Sequence, residues 1–166
     1  MKLELIDIFS NNGAQMEFEG ELIFGDNVLS EMGISFHGPV NVKGRAENIG
    51  GQVEISAHVT AEIATNCARC MKDIFKDVDF DYTEKLAGSG TEIQDGDDVI
   101  LLDGTEVDIA DITLNNFIAI SPMKYLCKED CKGLCPHCGA DRNLTDCDCD
   151  ENVTDPRFDV LNNLFK

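Results

Sequence analysis

Six of the eight cysteines fall between Cys127 and Cys149, in the run Cys-Lys-Glu-Asp-Cys-Lys-Gly-Leu-Cys-Pro-His-Cys-Gly-Ala-Asp-Arg-Asn-Leu-Thr-Asp-Cys-Asp-Cys. The other two, Cys67 and Cys70, form a C-x2-C far upstream. The C-terminal segment is dense in sulfur and poor in large apolar side chains, so it must hold its shape through the cysteines rather than through a core of its own. Closed all-cysteine sites are assembled from two short-spaced pairs, because one tight turn presents two thiolates about 3.5–4 Å apart to a tetrahedral ion. The chain offers four such pairs: Cys67/Cys70, Cys127/Cys131, Cys135/Cys138 and Cys147/Cys149. Eight thiolates make two sets of four. The expected cofactor is therefore zinc, two ions per chain, each held by four cysteines, although sulfur tetrahedra suit iron as well.

A dithiol chemistry competes for Leu134-Cys135-Pro136-His137-Cys138-Gly139. Cys-Pro-His-Cys is also the motif of a strongly oxidising thioredoxin-like site, where the N-terminus of a helix lowers the cysteine pKa. That site needs a preceding strand, a following helix and a βαβ frame. The surrounding pattern provides none. Gly139 instead permits the left-handed turn of a zinc knuckle, and Cys147/Cys149 lie close enough to close the site. Cys127 and Cys131 follow a segment expected to be a helix over a sheet, where they could meet Cys67 and Cys70. The competing partition gathers the C-terminal cysteines into one cluster and leaves the Cys67/Cys70 knuckle without a use. Closed four-cysteine sites are scaffolds, since a catalytic zinc keeps a position for water or substrate.

The length of 166 residues suffices for one good core plus a small metal-stapled module. The expected domains are 1–122, an antiparallel β-sheet with a covering helix, and 123–166, the Cys-rich module with a C-terminal helix. No apolar run approaches a membrane span, and Met1-Lys2-Leu3-Glu4 opens without a signal-peptide pattern, so a cytoplasmic location is expected. In that reducing compartment a cysteine cluster reads as metal-binding or redox-active rather than disulfide-bonded. The formal charge of −19 opposes a broad nucleic-acid face. Eight thiolates with two divalent ions would deepen it by 4 (−8 + 4). Such a chain suits a basic protein partner, although the charge also serves solubility alone.

Four segments alternate with period two, as strands with one buried face do. They are Met16, Phe18, Leu22 and Phe24; then Ile34, Phe36, Val40, Val42 and Ala46; then Val53, Ile55, Ala57, Val59, Ala61 and Ile63; and finally Val78, Phe80 and Tyr82. Gly50 and Gly51 supply the positive φ of a tight hairpin, and Cys67-Ala68-Arg69-Cys70 occupies the next turn. The fold class expected is α+β: an antiparallel β meander with a packed helix and a C-terminal Cys-rich zinc-knuckle module. Leu3, Leu5, Ile6 and Ile8 suggest an additional edge element. The acidic, Gly-rich stretch 87–98 reads as a mobile loop, and Val99 to Leu102 as a short strand. A largely buried helix should begin at Asp108 as cap, with Asp111 near its positive end and Val107 stapled to Ile112, and end at Pro122. Asp155-Pro156-Arg157 opens a last helix with the stripe Phe158, Leu161, Leu164 and Phe165.

Enzyme readings are thin, and neither catalytic residues nor a small-molecule substrate is expected. None of His37, His58 or His137 is followed two residues on by Glu, as a zinc deaminase requires. No Walker loop, dinucleotide fingerprint, His-Glu-x-x-His or nucleophile elbow occurs. His37 and His58 sit on the polar side of strands, and His137 lies inside a knuckle. Carboxylate pairs arise by chance among 32 acidic residues, so none is assigned a role.

Taken together, Cys67-Ala68-Arg69-Cys70 at a strand end, the acidic stretch, the helix opening Asp108-Ile109, Ser121-Pro122, the Gly133-Leu134-Cys135-Pro136-His137-Cys138-Gly139 block, Cys147-x-Cys149 and Asp155-Pro156-Arg157-Phe158 form a pattern. It resembles the YceD family, the bacterial large ribosomal RNA subunit accumulation proteins. The resemblance implies a cytosolic, non-enzymatic factor needed for accumulation of large-subunit (23S) ribosomal RNA, and so a role in ribosome assembly. On that basis zinc would fix a platform engaging a ribosomal protein or an rRNA precursor. Contact with RNA would be local, through Arg69, Lys72, Lys124, Lys128, Lys132 and Arg142, which otherwise serve to offset thiolate charge. The alternative is a redox-switched zinc chaperone, a holdase, because C-x-C plus C-x2-C on one ion is a spacing used by oxidation-sensitive chaperones.

Overall fold

The computed structural model describes residues 1–88 and 98–149. Most of the expected loop over 87–98 and all of the expected helix from Asp155 lie outside the described residues. In chain order the elements are β1 (Lys2–Glu4), α1 (Ile6–Ser10), β2 (Gln15–Leu22), β3 (Ile34–Phe36), β4 (Val40–Ile49), β5 (Gln52–Asn66), β6 (Asp73–Gly88), β7 (Ile100–Leu102), β8 (Glu106–Asp108) and α2 (Ile109–Ile120), with a 3-10 turn at Ser30–Met32.

The cleanest alternation builds the longest pairing. β5 runs antiparallel to β6 from Asn66↔Asp73 to Val53↔Leu86. Val53, Ile55, Ala57, Val59 and Ile63 are all buried, while Glu54, Ser56, His58 and Thr60 face the other way. β4 flanks β5 and β2 flanks β4, both antiparallel, while β7 pairs parallel to β6, so the order β2-β4-β5-β6-β7 among the described residues is a mixed sheet rather than the wholly antiparallel one expected. The β4–β5 hairpin closes on Gly50 (φ 65°) and Gly51 (φ 93°), the two left-handed residues that a tight turn matching strand twist demands. Gly44 sits opposite Phe18 and Ala57, where an added Cβ would lie 2.5 Å from the Phe18 ring. The missing side chain leaves room for that ring.

Two segments differ from expectation. The stretch from Ile34 to Ala46 is two strands, broken at Gly38-Pro39, and both pair with β5. The register shifts from Phe36↔Ile63 to Asn41↔Thr60, so five residues on one side match three on the other. A slip of two keeps side-chain parity, and Ile34 therefore stays on the core side with Val40 and Val42. The N-terminal element is not an edge of the meander. Its first three residues pair with β8 in a separate two-stranded sheet, Leu3 opposite Val107. The chain then turns into the short helix α1, which places Leu5 and Ile8 in the main core.

Asn48 joins these parts. It is only 2% exposed, and its Nδ2 donates to the carbonyls of Ile8 (2.8 Å) and Phe9 (3.1 Å) while its Oδ1 accepts from Gly51 N at 2.9 Å. One buried amide thus satisfies the end of α1 and the hairpin turn together.

α2 begins where its sequence signals place it. Asp108 is extended and accepts from Ala110 N at 2.9 Å, and Ser121 ends the helix before Pro122. The Asp108 carboxyl is held below the ordinary carboxylate range, first by that N–H and then by the Met1 amine 3.0 Å away. Ile109, Ile112, Thr113 and Phe117 are buried: Phe117 lies against Phe36 and Phe80, and Thr113 hydrogen-bonds Tyr82 at 3.2 Å. The helix is not buried all round, since Ile118 and Ile120 are about half exposed. Of the described residues, no helix is long and apolar enough to cross a membrane.

Candidate metal centres

The meander brings Cys67 and Cys70 to the turn between β5 and β6. The knuckle is built by backbone bonds, Cys67 N to the Lys72 carbonyl (2.8 Å) and Met71 N to the Cys67 carbonyl (2.9 Å), with Met71 forced to φ 60°. The chain leaving α2 then crosses beside this turn, with Ala68 N donating to the Tyr125 carbonyl at 2.9 Å. Cys127 and Cys131 arrive there. The Cys67 and Cys131 sulfurs are 3.8 Å apart, and those of Cys70 and Cys127 are 3.7 Å apart.

The four sulfurs of Cys67, Cys70, Cys127 and Cys131 lie within 4.8 Å of one another, as do those of Cys135, Cys138, Cys147 and Cys149. Either cluster could hold a metal ion. Sulfurs about 2.3 Å from a zinc ion stand about 3.8 Å apart along each tetrahedral edge, which is the spacing of the two measured contacts. It is too long for an S–S bond of about 2.05 Å, and all eight are free thiols. The grouping follows the partition that set Cys127/Cys131 with Cys67/Cys70.

The clusters differ in depth. In the first, here called the inner cluster, Cys67, Cys70 and Cys131 are buried and Cys127 is half-buried; in the outer one Cys135 is buried, Cys147 and Cys149 are half-buried, and Cys138 is exposed. Each carries one thiol pulled down and others pushed up. Cys67 is lowered to about 6, chiefly by the Cys127 backbone N–H, and Cys135 to about 5, chiefly by the Cys138 and His137 N–H groups. Burial pushes Cys127 up to about 12, and a hydrogen bond with the Cys138 side chain pushes Cys149 up to about 12. In each cluster backbone N–H groups thus favour the charged form of one sulfur, while burial and neighbouring thiols disfavour it at others.

The outer loop turns at Gly139 (φ 75°), with Gly139 N to the Cys135 carbonyl (2.9 Å) and Cys135 N to the Ala140 carbonyl (2.8 Å). This is a knuckle. The described residues show no helix after Cys138, which a thioredoxin-like site would need. Arg142 Nη2 reaches Cys135 Sγ at 3.8 Å, and Arg69 Nη1 donates to the carbonyls of Cys131 (2.8 Å) and Glu129 (3.3 Å). Lys128 pairs with Asp130 at 3.6 Å. Lys72, Lys124 and Lys132 are exposed near the clusters. His58 lies 2.9 Å from Asp81 and 3.8 Å from Asp79, and His37 3.7 Å from Glu62, so both sit among carboxylates on the polar face of the sheet.

Sequence reasoning missed Asn143, whose Nδ2 lies 3.5 Å from Cys131 Sγ. It also missed Gly133, buried at φ 75° where an added Cβ would meet the Arg69 carbonyl at 2.9 Å. The available signal was Asp-x-Asn between the two outer pairs, since these residues turn chains by bonding their own backbone.

Among curated proteins the chain is similar to the uncharacterized protein YlbN of Bacillus subtilis (strain 168), 29% identical over 129 residues, covering 77% of this chain and 75% of that one. It is similar also to the uncharacterized protein ML1660 of Mycobacterium leprae (strain TN), 27% identical over 110 residues, 64% of this chain and 50% of that one. With the uncharacterized protein Rv2926c of Mycobacterium tuberculosis (strain ATCC 25618 / H37Rv) it shares 28% over 98 residues, 57% of this chain and 47% of that one. The match thus spans about half the length of the mycobacterial relatives. No solved structure is significantly similar. The model of the family described as large ribosomal RNA subunit accumulation protein YceD matches residues 55–165, from within β5 through both clusters, and the chain therefore belongs to the YceD family.

Proposed function

We propose that this protein is a non-catalytic, cytoplasmic ribosome assembly factor that supports accumulation of large-subunit (23S) ribosomal RNA. In this reading two structural zinc ions fix a platform for a ribosomal protein or an rRNA precursor. The family match over residues 55–165 carries the reading. The donor sets support the role given to the metal, because four sulfurs fill a tetrahedron and leave no position for water or substrate. Bound zinc would supply charge balance and cross-linking, tying a module of residues 123–166 to a sheet domain of residues 1–122 through Cys67, Cys70, Cys127 and Cys131.

The charge of −19 favours a basic ribosomal protein as the direct partner. Arg69, Arg142 and Lys128 already contact the cluster loops or their carboxylates, so RNA contact would fall chiefly to Lys72, Lys124 and Lys132. The test is depletion. Cells lacking the protein should accumulate less large-subunit rRNA and show a deficit of large subunits on sucrose gradients; normal rRNA and normal profiles would overturn the proposal.

One observation favours the second reading, a redox-switched holdase: Cys138 is exposed and Cys147 and Cys149 are half-buried, so the outer thiolates are open to oxidants. On that reading mild peroxide expels the outer ion and switches on suppression of aggregation. Metal that stays bound under the same treatment would remove it.

A further inference from the structure

Asn143 belongs to the outer loop, between Cys138 and Cys147, yet its side chain reaches the inner cluster. Its Nδ2 donates to Cys131 Sγ at 3.5 Å and its Oδ1 accepts from Lys132 N at 2.9 Å. The loop is held from within as well, Asn143 N and Nδ2 both donating to Asp141 Oδ1 at 2.9 and 2.6 Å. Beside it Leu134 N donates to the Arg69 carbonyl (3.0 Å) and Arg142 N to the Gly133 carbonyl (3.0 Å). Inner knuckle, connecting segment and outer loop are one hydrogen-bonded strip. An N–H aimed at a thiolate stabilises its charge and fixes its direction toward an ion. That donor stays in place only while the loop carrying Asn143 keeps its curvature, and the loop is pinned at its two ends by the outer ligands Cys138 and Cys147.

We propose that Asn143 is a positioning residue that couples the two metal sites, so that filling the outer cluster raises the affinity of the inner one. The coupling rests on the metal reading above and goes beyond it, since two ions held independently would satisfy that reading equally. Linkage makes the effect reciprocal: a filled inner site also favours the outer one. Loss of the ion from the more exposed cluster then loosens the buried one, and the platform forms and comes apart as a unit.

The test uses the full chain, reduced, with cadmium-113 as the probe and a chelator setting the free metal. The two sites give separate resonances, assigned from single-site variants. Inner-site affinity is measured in the unaltered chain, in Cys147→Ser/Cys149→Ser, in Asn143→Ala and in the triple variant. The expected result is a loss of about tenfold in Asn143→Ala and a similar loss in the outer-site variant. The triple variant should lose little more, because both changes break the same link. Inner affinity unchanged by removal of the outer site overturns the coupling, as do losses that multiply in the triple variant. The outer resonance reports whether Asn143→Ala leaves the loop folded. Should it vanish, the charge-conserving exchange Asn143→Asp with Asp141→Asn, which keeps the acceptor for Lys132 N and a hydrogen bond between positions 141 and 143 while removing the donor to Cys131, must give a similar loss or the coupling is wrong. An unaltered chain that binds no cadmium at sulfur overturns the metal reading, and the coupling with it.

Discussion

Cys67 and Cys131 are separated by 64 positions in the chain, and their sulfurs lie 3.8 Å apart at the end of the β5–β6 hairpin. A turn of the sheet and a loop beyond the helix thus contribute to one four-sulfur cluster.

The junction between clusters depends on the absence of a side chain at Gly133, where an added Cβ would meet the Arg69 carbonyl at 2.9 Å and φ is 75°. Gly133→Ala should cost about 1–3 kcal/mol in the metal-loaded protein. Chelator-driven metal release should be several-fold faster, with the sheet's far-ultraviolet circular dichroism unchanged. Release at the unaltered rate would show that the contact between Arg69 in the β5–β6 turn and Leu134 is dispensable.

Among the described residues, Asn48 is the one buried side chain that serves three backbone groups. Replacing it with Leu takes this partner from the Phe9 carbonyl and the Gly51 N–H and leaves the Ile8 carbonyl only the Asn11 N–H at 3.3 Å, and stability should fall by about 2–3 kcal/mol. Urea unfolding checks this: the midpoint should drop while the slope stays constant.

On α2, Phe117 and Ile120 differ in what they touch. Phe117 is 1% exposed between Phe36 and Phe80, so Phe117→Ala should cost about 3–5 kcal/mol. Ile120 is 51% exposed, and Ile120→Ala should stay within about 0.5 kcal/mol. Similar costs at both positions would mean that the helix lies on the sheet by another face.

The Asp108 cap makes a pH prediction. Its folded pKa is lowered, first by the Ala110 N–H, so the ionised cap adds stability that is complete above the ordinary carboxylate range. That contribution is lost as pH falls through the lowered folded value. Asp108→Ala should therefore cost about 1 kcal/mol at neutral pH, and the deficit should shrink below about pH 4. Urea titrations of both proteins at neutral and acid pH measure the difference.

Much of this was legible because the signals were local. Val53 to Ile63 alternates without a break, Gly50-Gly51 allows only a tight hairpin, Asp108 caps, and pairs of cysteines at knuckle spacing leave few groupings. What could not be read was non-local. Leu3-Glu4-Leu5-Ile6 looks like strand because its partner Val107 lies more than a hundred positions away, and the turn into α1 has no side-chain cap to announce it. Ile34 to Ala46 reads as one strand because its alternation runs across Gly38-Pro39 without changing parity, and the two-residue slip that lets both halves pair with β5 depends on that strand's length. At the centres, ligands were visible by spacing; Asn143 was not, because a residue that orients a sulfur is recognisable only once the sulfur's position is known.

The most direct test of the account is metal content in anaerobically purified protein, prepared with reductant and without chelator, set against Cys→Ser variants. The expected result is two ions per chain. Cys70→Ser and Cys127→Ser should lose the same ion, and Cys138→Ser and Cys149→Ser should lose the other. Protein that is folded and free of metal, or an ion shared between Cys70 and Cys138, would contradict it.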